Sequence, residues 1–224
     1  MVYFFDLDGV VIDSIEECYV VSKGLYFEHS EYNYDNDKYK EIFYKHRGLV
    51  KPAYEYLVLH KSIEKYLANT NLNFENIFVS ELNNTNEQEK LDFEKNFFCK
   101  RSKFIENEPQ KWLSMNKLTK FGKKLKSNCY SPFYIITTKN FDATIFLLKH
   151  YKICPVEIFT NNDIKKFGSK GSLISKFLDK ENISKAFFID DAVEHLDSVN
   201  DERIDCYFAQ WGYGKNTNFR IFNY

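Results

Sequence analysis

Asp6 and Asp8 stand one residue apart at the end of the apolar run Val2–Phe5, and Gly9 follows them. Alternate residues of a strand share a face, so the two carboxylates point the same way, and Gly9 marks a sharp turn. Two like charges at one strand end repel each other unless they are solvated or bridged by a cation. A hard divalent ion such as Mg²⁺ suits carboxylate oxygens. One such carboxylate can attack an electrophile while its neighbour handles protons. Alone, Asp-x-Asp-Gly is equally an ordinary turn, because Asp and Gly are the usual turn residues. It does not stand alone. Thr137 follows the apolar run Phe133–Ile136, and Asp190 and Asp191 follow the apolar run 186–189. Between them, Lys165, Lys166 and Lys170 lie in a basic segment leading into a helix, and positive charge beside a helix N-terminus favours anions. A nucleophile, a cation cage, a hydroxyl and a lysine are the parts that phosphoryl transfer requires.

These residues need elements to hold them. From about residue 133 onward, short apolar strands alternate with amphipathic helices: strands at 133–136, 157–159, 186–189 and 206–209, with helices after Asp142, from Ser172 and at 194–199. Near-continuous apolar strands alternating with helices indicate a parallel sheet covered on both faces. In such a sheet ligands bind at the carboxyl ends of the strands, where Asp6, Thr137 and Asp190 fall. From 15 to 126 the pattern is helical instead, with stretches at 15–27, 38–47, 52–67, 87–104 and 109–125 and Asn-rich breaks near 69–71 and 83–86. The first strand therefore belongs with residues 127–224, and an all-helical body of residues 15–126 is inserted between them.

Composition excludes several classes. Aromatic residues make up 18% of the 224, which argues for a packed globular protein and against disorder. A net charge of −1 provides no basic field for nucleic acid. The cysteines at 18, 99, 129, 154 and 206 are odd in number and form no Cys-x-x-Cys pair, so they read as reduced small hydrophobes of a cytoplasmic protein. No apolar run approaches the ~20 residues needed to span a membrane, and no leader is expected ahead of the first strand. A monomer or small homo-oligomer is expected.

Four motifs in register carry a resemblance. Asp6-Leu7-Asp8-Gly9-Val10 with Asp13 downstream, Ile135-Ile136-Thr137-Thr138-Lys139, Lys170, and Phe188-Ile189-Asp190-Asp191 resemble the motifs of the haloacid dehalogenase-like (HAD) superfamily of phosphohydrolases, in its phosphoglycolate phosphatase-like branch. The resemblance implies a Rossmann-like α/β core and a helical insertion of the C1 cap type. Asp6 would attack phosphorus, and Asp8 would protonate the leaving group and then activate water. Thr137, Thr138 and Lys170 would hold the phosphoryl group. Asp6, Asp8 (through its backbone carbonyl) and Asp190 would ligate Mg²⁺, with Asp191 supporting the site through water. Dehalogenase members lack the second aspartate, so Asp8 favours phosphate chemistry. Lys170 is followed by Gly171 where the branch carries Pro, which leaves Lys165 and Lys166 as rivals. Trp211-Gly212-Tyr213-Gly214 resembles a run that follows the last core strand in that branch, and it reads as a glycine turn packed by aromatics.

Within the insertion, Arg47, Lys51 and Tyr54 flank a helix break and could reach a polar substrate, although Arg47 and Lys51 are equally ordinary surface charges. The expected reaction is hydrolysis of a small phosphorylated metabolite. A phosphomutase using the same intermediate and a non-catalytic binding protein on this scaffold remain alternatives.

Overall fold

The computed structural model describes residues 1–28, 37–127, 130, 132–215 and 218–224. They form two compact units, Met1–Ser14 with Asn116–Tyr224, and Ile15–Met115. The first is an α/β unit built on a six-stranded parallel sheet. Its strands are β1 (Val2–Phe5), β4 (Phe133–Ile136), β5 (Ile158–Phe159), β6 (Ala186–Asp190), β7 (Ile204–Phe208) and β8 (Arg220–Ile221). Their spatial order is β5-β4-β1-β6-β7-β8. The chain builds outward from β1 on one side and then returns to build on the other. The switch point of the sheet therefore lies at β1, between β4 and β6, where ligands of open α/β sheets bind.

The sequence dictates this arrangement. Central strands of a two-sided sheet are buried on both faces, and VYFF and FYII are apolar throughout, as is AFFID up to its final Asp190. Phe4, Ile136 and Phe188 are fully buried, packed against Leu173, Ile174, Phe177 and Leu178 of α10 (Lys170–Lys180). Helices α8 (Phe141–Tyr151), α9 (Asn161–Phe167) and α11 (Val193–Asp197) complete the crossovers. In α8 the buried stripe is Ala143, Thr144, Leu147 and Leu148. α10 begins earlier than expected: the N-cap is Ser169, whose hydroxyl accepts from the Ser172 amide, and not Ser172. Lys170 is thereby the first helical residue.

Residues 116–126, assigned to the insertion from sequence, belong to the α/β unit. The expected helix over 109–125 is interrupted. α6 (Pro109–Ser114) ends, β3 (Lys117–Leu118) pairs antiparallel with β2 (Ile12–Asp13), and α7 (Lys120–Leu125) follows. Thr119 caps α7 and also donates to the Val10 carbonyl at 2.7 Å, while Phe121 packs on Phe5 with ring centroids 4.9 Å apart.

The second unit is all-helical: α1 (Ile15–Tyr26), α2 (Asp37–His46), α3 (Glu55–Ala68), α4 (Phe74–Asn84), α5 (Glu87–Asn107) and α6. It has its own core around Phe43, Tyr56, Val58, Leu59 and Phe97. A buried ionic node crosses that core. Glu17 is fully buried and receives Arg101 Nε at 2.7 Å, Arg101 Nη2 at 3.0 Å and Trp112 Nε1 at 3.2 Å. Among the described residues no helix is long and apolar enough to cross a membrane.

Candidate active site

Three carboxylates converge beyond the ends of β1 and β6. Asp6, Asp190 and Asp191 are each buried, and one oxygen from each lies within 4.8 Å of the others. Lys170, also buried, joins two of them: its Nζ is 2.7 Å from Asp190 Oδ2 and 2.9 Å from Asp6 Oδ1. The Asp6 contact is close but off-axis, so Asp6 Oδ1 is buried with no aligned hydrogen-bond donor. Lys165 and Lys166, the sequence rivals of Lys170, are exposed on α9. Gly171 now has a physical reason. Its amide donates to Ser198 Oγ at 3.1 Å, and a Cβ there would stand 2.3 Å from the Ser198 carbonyl oxygen. Proline would lose the first contact and clash in the second.

Asp190 is heavily solvated by protein. Oδ2 accepts from Lys170 and from His195 Nδ1 at 3.0 Å, and Oδ1 accepts from the Ala192 amide at 2.8 Å. The carboxylate acceptor places the proton of His195 on Nδ1. Burial by itself would push the Asp190 carboxyl up, but the Lys170 ammonium and His195 outweigh it and hold the group well below the usual carboxylate range. Lys170 is held above its ordinary value, because Asp190 and Asp6 outweigh its own burial. Asp6 goes the other way. Burial, opposed by Lys170 and reinforced by the charge of Asp190, raises it to about 6. Asp6 and Asp190 thus share one ammonium, and its positive charge does not fully compensate Asp6. An all-oxygen donor set that is buried, rich in negative charge and includes an oxygen lacking an aligned donor fits a hard divalent cation.

Asp191 is fixed from behind. Tyr213 N donates to its Oδ2 at 2.5 Å, and Gly9, Gly212 and Gly214 approach so closely that a Cβ at any of them would stand 1.8–2.4 Å from an Asp191 atom. Gly9 also has φ +84°, a backbone conformation that only glycine adopts without strain. The Trp211–Gly214 turn is packed as expected, and it also ties back to the first motif. The Tyr213 hydroxyl donates to Asp13 Oδ1 at 2.9 Å and accepts from Ser14 N at 2.7 Å, and Trp211 Nε1 donates to the Val10 carbonyl at 3.0 Å.

At the end of β4, buried Thr137 accepts the Lys139 amide on Oγ1 at 3.1 Å, which leaves its own hydrogen to donate elsewhere. Thr138 beside it is half-buried. Asp8 does not join the three-carboxylate group through its side chain. Both its oxygens meet Lys139 Nζ at 3.0 Å. Lys139 and His195 are the residues to which sequence reasoning gave no role in the site. Lys139 was visible as the last residue of the Thr-Thr-Lys motif, and His195 only as a helix residue expected to cap or pack.

Arg47, Lys51 and Tyr54 lie in the helical unit, in and after the 3₁₀ turn Arg47–Leu49. Arg47 is buried, its guanidinium 5.1 Å from the Tyr56 ring centroid and donating to the Val50 carbonyl at 2.9 Å. Lys51 Nζ donates to the Leu49 carbonyl at 3.0 Å. Tyr54 precedes α3 with Lys90 Nζ 5.7 Å from its ring, and burial first, then Glu55, raises its hydroxyl pKa.

This fold recurs in solved structures. A haloacid dehalogenase-like hydrolase from Streptococcus pneumoniae matches with TM-score 0.53 and 19% identity over 96% of this chain and 86% of its own. A predicted phosphatase from Clostridium acetobutylicum matches with TM-score 0.55 and 17% identity, over 95% and 86% respectively. A predicted phosphoglycolate phosphatase from Haemophilus somnus gives 0.59 and 12%, over 96% and 88%. The chain has the HAD-like fold. By sequence, no family model and no curated protein matches it. The HAD-like fold accounts for β1 at the centre of the sheet.

Proposed function

We propose that the protein is a Mg²⁺-dependent phosphatase of a small phosphorylated metabolite, working through an aspartyl-phosphate on Asp6. The observation that carries this reading is Lys170 bridging Asp6 and Asp190 at the switch point of the sheet. It keeps one buried carboxylate ionised for a cation and another beside an ammonium, where an anionic group can be received. Asp6 attacks phosphorus, forming an acyl-phosphate bond as the bond to the leaving oxygen breaks, and Asp8 gives that oxygen a proton. Water then attacks phosphorus while Asp8 takes its proton, releasing inorganic phosphate and restoring Asp6. The Thr137 hydroxyl, the Thr138 amide and Lys170 hold phosphoryl oxygens. Asp6, Asp190, Asp191 and the Asp8 carbonyl are the groups that would hold Mg²⁺, whose charge neutralises the phosphoryl oxygens when bound. The helical unit inserted between Ser14 and Asn116 is assigned substrate selection, as the cap of this fold, with Arg47, Lys51 and Tyr54 as its candidate contacts.

The test is phosphate release by purified protein with Mg²⁺ across sugar, polyol, acid and nucleotide monophosphates, repeated with excess chelator. Turnover that stops with chelator and returns with Mg²⁺ is expected. Undiminished turnover in chelator refutes the metal-dependent route, and a requirement for a bisphosphate activator marks a phosphomutase instead.

A further inference from the structure

Lys139 follows Thr137 by two positions, and its side chain is entirely buried. A lysine in a loop ordinarily leaves its ammonium in water, and burying that charge costs several kcal/mol unless a partner receives it. Here the partner is Asp8, 131 positions earlier in the chain, gripped through both oxygens at 3.0 Å. The backbone of the same residue donates to Thr137 Oγ1, so one short segment orders both a phosphoryl-binding hydroxyl and the carboxylate beside the nucleophile. Asp8 itself remains partly open, with its side chain 15% exposed. A proton-transfer group must lie within hydrogen-bond reach of its target, and misplacing a reacting group by about 1 Å can cost on the order of 100-fold in rate.

We propose that Lys139 is a positioning residue for the reaction: by holding both oxygens of Asp8 it fixes the direction in which that carboxylate meets the leaving oxygen and the attacking water. This rests on the phosphatase reading above. It also separates Lys139 from Lys170, whose ammonium lies on Asp6 and Asp190 and not on Asp8. Lys139 thus acts through Asp8 and does not bind the phosphoryl group.

The experiment is a double-mutant cycle of Lys139→Met and Asp8→Asn in the full chain with Mg²⁺. It reads hydrolysis of 4-nitrophenyl phosphate, whose good leaving group keeps the first turnover of weak variants measurable, and inhibition by inorganic phosphate. Lys139→Met is expected to lower kcat on the order of 100-fold with inhibition by phosphate unchanged. In the Asp8→Asn background the same change should cost nothing more. Lys139→Arg should recover at least about tenfold, because it restores a cation to Asp8. Should Lys139→Met not fold, the Arg variant runs the same cycle with a smaller loss. Weaker phosphate inhibition with kcat intact would make Lys139 a phosphoryl contact, and equal losses in both Asp8 backgrounds would show that it acts elsewhere. Either result overturns this assignment alone. A wild-type protein with no turnover overturns the phosphatase reading and this assignment with it.

Discussion

Asp6, Asp190 and Asp191 are chemically identical side chains given different surroundings. Asp190 is held ionised by Lys170 and His195, Asp191 is clamped by a turn of glycines, and Asp6 keeps a buried oxygen with no aligned donor. Replacing Asp6 by Asn keeps the shape and removes the nucleophile. Asp6→Asn is therefore expected to abolish phosphate release with Mg²⁺ while leaving the melting temperature close to wild type, and retention of about a tenth of wild-type rate would show that another group attacks. The glycine clamp allows a second prediction. A Cβ on Gly212 would stand 2.3 Å from Asp191 Cβ, so Gly212→Ala must displace Asp191 or its own turn. Overpacking of this kind costs about 1–3 kcal/mol, read as a lowered urea midpoint, and the Mg²⁺ concentration for half-maximal activity should rise. The site residues at strand ends were legible because their strands were. Lys139 was not, since nothing in a local run of Thr-Thr-Lys says that the lysine turns inward to a carboxylate 131 positions away. In the Arg47–Tyr54 segment the sequence shows two cations at a helix break but not what they touch: Arg47 lies 5.1 Å from the Tyr56 ring, and Lys51 donates to the Leu49 carbonyl.

At the level of elements, the parallel strands were the most legible feature, because burial on both faces writes a continuous apolar run. Two-residue strands leave no such period, so the β2–β3 ribbon was invisible and 109–125 read as one helix. Helix α4 was hidden by its polar flanks. Its buried residues are few (Phe74, Ile77, Phe78 and Glu81), and it starts on Asn73 and ends in Asn83-Asn84, which looked like loop. Nor did the sequence mark Glu17, near the start of α1, as the partner of Arg101 on α5 and Trp112 on α6, since that pairing depends on how three helices pack. Its consequence is testable. Glu17→Gln preserves volume but leaves the buried Arg101 guanidinium without its counter-charge. Breaking one side of a buried pair costs about 3–5 kcal/mol, whereas replacing both members with apolar residues can be nearly neutral. Urea unfolding of Glu17→Gln should show a loss of that size, and Glu17→Leu with Arg101→Leu should recover part of it. A single variant within about 0.5 kcal/mol of wild type would mean that Arg101 finds other compensation.

For the whole molecule, the two units carry one tryptophan each, Trp112 in the helical unit and Trp211 in the α/β unit, which gives each its own reporter. The helical unit also contains an acid-sensitive group. His60 is fully buried among Tyr26, Phe27, Tyr39 and Phe43, with Nδ1 2.7 Å from the Tyr39 hydroxyl and Nε2 2.9 Å from Ser22 Oγ. Ser22 donates to the Cys18 carbonyl at 2.6 Å, so its oxygen accepts Nε2–H and Nδ1 accepts the Tyr39 proton. Both nitrogens of the neutral ring are used, in surroundings that disfavour a charge. Burial first, and Lys23 second, lower its pKa from 6.5 to about 3. Between those values the unfolded chain binds a proton that the folded chain refuses, so stability rises with pH. This contribution is fully present above about pH 6.5 and is lost progressively on acidification toward 3. From pH 7 to 4.5 the loss is on the order of 2–3 kcal/mol. In a Trp211→Phe background, the urea midpoint followed by Trp112 fluorescence should fall over that range. His60→Gln, which keeps a polar side chain but cannot titrate, should flatten the slope even though it lowers the midpoint at pH 7. A slope unchanged by His60→Gln would place the acid sensitivity of the helical unit in its carboxylates instead.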